Sequence, residues 1–67
     1  MRLFRTYLLH NGVRVAGSQR IIRAENAQSA AETIAGKKLR QTGAEHEVRV
    51  EVHSVEPAQG PLFFYLL

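Results

Sequence analysis

Nine cations and six carboxylates are spread over 67 residues, and the basic side chains are the ones whose types and spacing could do chemistry. Arg5 and Tyr7 stand two apart, followed by Arg14, Arg20 and Arg23, and then by Lys37, Lys38 and Arg40. Arginine clamps phosphates and carboxylates through a planar fork and stacks on flat rings, and tyrosine offers a stacking platform. These eight residues are the candidate binding residues, directed at an acidic protein complex or a nucleic acid. The competing reading is that the same charges are solvated or matched across strands by Glu47, Glu51 and Glu56.

Catalysis needs convergent polar groups in a cleft, and the chain has little to converge. It holds three histidines, six glutamates and three serines, with no cysteine and no aspartate. His46 and His53 lie seven apart, on opposite sides of a regular strand, and so make a poor pair of metal ligands. Glu47 and Glu51 would share a strand face at about 13 Å, from a rise of about 3.3 Å per residue. Paired-carboxylate hydrolysis wants a closer pair. No phosphate-binding glycine loop, nucleophile elbow or zinc spacing is present. The expectation is a non-enzyme with no catalytic residue, cofactor, metal or small-molecule substrate.

Charge is distributed unevenly. Residues 1–24 carry five arginines and no acid, for +5; residues 25–43 sum to +1 and residues 44–67 to −3, giving the net +3. Such asymmetry fits a basic binding face, and it equally fits basic strands paired with acidic ones in one sheet. No stretch approaches the roughly 20 apolar residues of a membrane span. The opening MRLFRTYLL has charges inside its apolar run and lacks a long h-region and a small-residue cleavage site. With no cysteine to form a disulfide, the expected setting is the reducing cytoplasm, away from membranes.

The elements that must position these side chains follow from periodicity. Arg2–Leu9 reads as a strand with Phe4, Thr6 and Leu8 on one face and Leu3, Arg5, Tyr7 and Leu9 on the other, neither cleanly polar. Asn11-Gly12 predicts a type I′ hairpin turn. Val13–Ala24 returns as one long strand, bent at Gly17-Ser18 where the alternation changes parity; two short strands with a break are the alternative. Ala27, Ala30, Ala31, Ile34, Ala35 and Leu39 recur at helical spacing, predicting a helix from Ala27 to about Thr42 capped by Asn26 and Gly43. Gly36 then falls inside it, at a cost of about 1 kcal/mol. Lys37, Lys38 and Arg40 complement the negative end of its dipole. His46–His53 alternates cleanly, with Val48, Val50 and Val52 inward and Glu47, Arg49, Glu51 and His53 outward.

The chain closes on LFFYLL, six apolar residues that one helix cannot cover on both faces. Either neighbouring strands shield Leu62–Leu67 or a second molecule does, so Leu62, Phe63, Phe64 and Tyr65 form a candidate homodimer or partner interface. The expected fold is one α+β domain over residues 1–67: a four-stranded, mainly antiparallel sheet in the order β-β-α-β-β with one helix on one face.

Ile22, Ala24, Ser29, Ala30, Ile34 and Ala35, a strand leading straight into a helix, are followed by the alternating Val48, Val50 and Val52. That arrangement resembles small accessory proteins of phages and mobile elements, and is similar in length, charge and element order to small basic anti-CRISPR inhibitors. The resemblance is one of architecture. It implies a protein that blocks a host nuclease or surveillance complex by occupying its nucleic-acid channel. A direct nucleic-acid binder and an assembly protein joined through Leu62–Leu67 are the alternatives.

Overall fold

The computed structural model describes all 67 residues as a small α+β domain in which one helix lies on one face of an antiparallel sheet. The sheet has six strands, β1 (Arg2–His10), β2 (Val13–Arg14), β3 (Arg20–Ala24), β4 (Leu39–Arg40), β5 (Val48–Ser54) and β6 (Gln59–Leu66), and the one α-helix is α1 (Ala27–Ala35). The sheet order is β2-β1-β5-β6-β4, with β3 on the same edge of β1 as β2. This is two strands more than the sequence predicts. Both extra elements arise where the chain breaks a run that looks continuous.

The first break divides Val13–Ala24. Asn11 and Gly12 take positive φ as the hairpin requires, and β2 pairs Leu9 and His10. The chain then bulges around Gly17, also at positive φ, and rejoins the edge of β1 as β3, opposite Arg2–Thr6. Ser18 bridges the gap: its Oγ accepts the Leu8 N–H at 3.1 Å, standing in for the missing ladder carbonyl. The predicted single bent strand is therefore two collinear short ones, because a buried hydroxyl satisfies the backbone that the bulge leaves bare.

The second break shortens the helix. Asn26 caps it as predicted, its side chain accepting the Ser29 N–H at 2.8 Å. The helix ends at Ala35 and not near Thr42, since Gly36 adopts the left-handed conformation at φ 73° and donates its N–H to Glu32 O. Gly36 is thus the terminator, and Gly43 has no capping role. Glu32 accepts the Leu39 N–H at 2.9 Å and Gln28 Nε2 donates to Leu39 O at 3.0 Å, strapping the returning chain to the helix. Leu39 sits in helical phase with Ala35 yet reaches the core from β4, which pairs Leu66 and Tyr65 of β6. Lys37, Lys38 and Arg40 accordingly lie beyond the helix, and its last turn holds no cation.

The core lies between α1 and the sheet. Ala30 and Ala31 pack closely on Phe4, Val50, Val52 and Phe64, with Ala24 and Leu39 completing the cluster. Thr6 is fully buried and donates to Arg20 O, so its hydroxyl is satisfied. Phe64, at 3% exposed, belongs to this core and is withdrawn from the predicted interface, whereas Phe63 on the opposite parity is 40% exposed. No helix is long and apolar enough to cross a membrane.

Candidate binding site on the open face of the sheet

With one helix on one side, the other side of the sheet is left without a covering layer. Its composition follows from register, since residues directly opposite in a ladder share a face. On β1 the open row is Leu3, Arg5, Tyr7 and Leu9, the residues that alternate with the buried Phe4 and Thr6. Across β1 on one side lie Arg23, Ile21 and Arg14, opposite Leu3, Arg5 and Leu9. On the other side His53 stands opposite Arg5 and Glu51 opposite Tyr7, and Phe63 of β6 stands opposite Glu51.

A bulge brings an unforeseen residue to this face. The β5–β6 register shifts between Val48 and Val50, so that Val48 pairs Tyr65 while Val50 pairs Phe64. Val50 keeps to the core, and Val48 turns to the open side with Tyr65. Leu9 and Val48 are buried yet stand apart from the main core cluster. They belong with Phe63, Tyr65, Gly12, Gly43 and Glu45 to a hollow of about 400 Å³. Gly43 lets the chain pass close to Tyr65 here, since a Cβ at that position would lie a tight 3.0 Å from Tyr65 Cβ.

Beside the hollow a charged buckle crosses three strands. Arg14 on β2 reaches over Tyr7 on β1 to Glu51 on β5, with Nε to Oε1 at 3.0 Å and Nη2 to Oε2 at 2.7 Å. The guanidinium stacks 3.9 Å from the Tyr7 ring centroid, a cation–π contact as well as a bidentate pair. His53 donates from Nε2 to Glu51 Oε2 at 2.6 Å, and its ring meets that of Tyr7 edge-on at 6.0 Å. Glu51 is only 7% exposed, where the alternation predicts a solvent-facing carboxylate. The Arg14 hydrogen bonds, against the opposing cost of burial, hold its carboxyl below the usual range, and His53 adds to the effect. The same pair raises the Arg14 guanidinium.

The predicted basic residues separate into groups. Arg5, Arg14 and Arg23 share the open face with Tyr7. Arg40 pairs with Tyr65 in register, but its guanidinium is engaged by Glu47 Oε1 at 2.8 Å. Arg20 is in register with the buried Thr6, on the helix side, and folds back onto Gly17 O and Gln19 O. Lys37 and Lys38 line a shallow polar depression with Ser29, Glu32 and Thr33 of the helix. Cross-strand neutralisation is present in Arg14–Glu51, while Arg5 and Arg23 take part in none of the four ion pairs.

Glu47 and His46, expected on a strand, belong to a 3₁₀ turn over Glu45–Glu47, where Glu47 accepts the Ala44 N–H and is held below its ordinary pKa chiefly by that bond. His46 and His53 consequently do not share an element, and no three histidine or glutamate side chains gather as a metal ligand set. The hollow escaped the sequence reading because it depends on the Val48 bulge. Its signal was the presence of apolar residues on both parities, at Leu9 in the first strand and at Phe63 and Tyr65 in the last. No family model, curated protein or solved structure matches the chain.

Proposed function

We propose that this chain is a non-catalytic binding protein that takes a polyanionic partner on the open face of its sheet. The observation that carries this reading is an imbalance of charge. Glu51 is the only carboxylate in any of the six strands, and it is neutralised by Arg14. Arg5 and Arg23 are exposed on the same face without a matching acid. Unmatched guanidinium groups on an uncovered surface attract an acidic partner, raising its encounter rate and fixing its register. The inhibitor role implied by the anti-CRISPR resemblance is one version of this reading, in which the partner is a host complex.

The test uses heparin as a generic polyanion, with affinity measured at low and at moderate salt. Tight binding that weakens with salt, and that is lost in the double variant Arg5→Glu, Arg23→Glu, supports the reading. A wild-type protein that ignores heparin at low salt overturns it.

One observation favours a second reading, self-association. Strand β4 pairs only Leu66 and Tyr65 of β6, so the outer edge of β6 is open from Pro61 to Phe64, beside the exposed Leu62 and Phe63. Free edges with apolar flanks recruit further strands. A mass that rises with concentration, and falls back in Leu62→Lys, would establish it.

A further inference from the structure

We infer that the hollow between Phe63 and Tyr65 receives an unstacked base of a single-stranded nucleic acid whose phosphates lie along Arg5 and Arg23. This rests on the proposal that the open face binds a polyanion, and it names which polyanion.

Two chemistries stand side by side on one face. The hollow is lined by the buried Leu9 and Val48 and by the two aromatic residues Phe63 and Tyr65, with Glu45 and two glycines completing it. Flat apolar rings are the surface on which bases stack without regard to sequence. Arg5 lies four residues from Leu9 on the same row of β1, a span of about 13 Å that a short stretch of single strand covers. Arg14 stands between them; its guanidinium has one face on Tyr7, and the side chain remains half exposed. Its outer face is a second platform for a base, a role that arginine planes fill alongside aromatic rings.

This arrangement separates possible polyanions. An acidic protein would need an apolar anchor placed to match the hollow as well as carboxylates placed to match the arginines. A duplex keeps its base faces stacked, so seating one in the hollow would cost the unpairing and unstacking of that base. A single strand satisfies both halves of the face at once. Tyr7 is not itself the platform, since Arg14 covers one side of its ring and His53 abuts it. It holds the guanidinium in position.

The decisive comparison is fluorescence anisotropy with four probes: labelled oligothymidylate of roughly a dozen nucleotides, within the site sizes of single-strand binders, the matching duplex, an abasic strand of the same length, and heparin. Oligothymidylate should bind more tightly than the duplex and the abasic strand. Phe63→Ala should weaken oligothymidylate by about 5- to 150-fold, the range for one stacked base, with heparin binding unchanged. Phe63→Trp should restore the affinity, and circular dichroism of both variants should match the parent. Equal affinity for the abasic strand, or an unchanged affinity in Phe63→Ala, would overturn the base hollow and leave the polyanion face standing. Loss of binding to all four probes in the parent protein would overturn both.

Discussion

Arg14 and Glu51 are 37 positions apart in sequence and joined by two hydrogen bonds, at 3.0 and 2.7 Å, that pass directly over the ring of Tyr7. The pair links β2, an element of only two residues, to the central strand β5 across β1. A two-residue strand has little ladder of its own, so this side-chain clasp holds the hairpin end against the sheet.

The clasp has a pH signature. The folded-state pKa of Glu51 is depressed, first by its hydrogen bonds from Arg14. The stabilisation is therefore complete above the unfolded value of about 4.3 and is lost as pH falls through the lower folded value. Thermal melts of the parent should drop in midpoint from neutral pH to below pH ~4. Glu51→Gln should lower stability at neutral pH by about 1–3 kcal/mol, the scale of a charged hydrogen bond lost in a buried setting. It should also flatten the acid part of the profile. A Glu51→Gln curve parallel to the parent's would show that other carboxylates govern the acid response.

Phe63 and Phe64 give the opposite pair of expectations from adjacent positions. Phe64 is buried on Val50 beneath the helix, so Phe64→Ala should cost about 3–5 kcal/mol. At about 0.05–0.15 kcal/mol per residue, a domain this small has only about 3–10 kcal/mol in total. Denaturant titration should find Phe64→Ala close to unfolded and Phe63→Ala folded. If the two lost stability equally, the division into a core side and an open side would be wrong.

Much of this was legible in the sequence. Periodicity placed the Asn26 cap, the alanine stripe and the hairpin turn correctly, because each depends on residues within a few positions of one another. It failed where a distant partner decides. Leu39 keeps the helical phase of Ala27–Ala35, and nothing local says that it will instead pair with Leu66. Val48 continues the alternation of Val50 and Val52, and only its bulge opposite β6 turns it to the other face. Glu51 looks like any solvent-facing acid until Arg14 is brought to it. The arginine face was half visible: Arg5 and Tyr7 share a strand parity, but which side Arg20 and Arg23 took depended on the bulge at Gly17.

The helix terminator yields a further test. Gly36 sits at φ 73° in open space, so a methyl group there would meet no neighbour but would strain the backbone. Gly36→Ala should cost about 1 kcal/mol. Gly36→Asn should cost less, since asparagine tolerates the left-handed region. A stabilised Gly36→Ala would mean that the helix runs on towards Thr42 in solution, and amide exchange across Lys37–Arg40 would reveal it as new protection.

Gly60 has the contrary problem, crowding without a positive φ. A Cβ there would lie 2.5 Å from His53 Nδ1 and 3.2 Å from His53 Cα, so the histidine cannot stay where it is. Gly60→Ala should displace the ring from Glu51 and Tyr7 at a cost of about 1–3 kcal/mol, as for overpacking elsewhere. Histidine side-chain NMR should show His53 shifted while His10 and His46 keep their resonances. An unmoved His53 signal would place Gly60 farther from β5 than the ladder indicates.

The two layers of the molecule carry cations of different standing, which permits an internal control for the binding face. Arg5 and Arg23 belong to the open sheet, whereas Lys37 and Lys38 lie with the helix residues Ser29 and Thr33. Reversing charge at either pair changes the net charge by the same amount, so any effect of overall charge alone would be equal. A face-specific site predicts inequality: Arg5→Glu with Arg23→Glu should weaken oligothymidylate more than tenfold, and Lys37→Glu with Lys38→Glu only slightly. Neutralising the arginines as Arg5→Gln with Arg23→Gln should make the dependence of log affinity on log salt shallower by about 1.4, for two phosphates released from a single strand. Equal losses from both reversals would reduce the interaction to long-range attraction without a site.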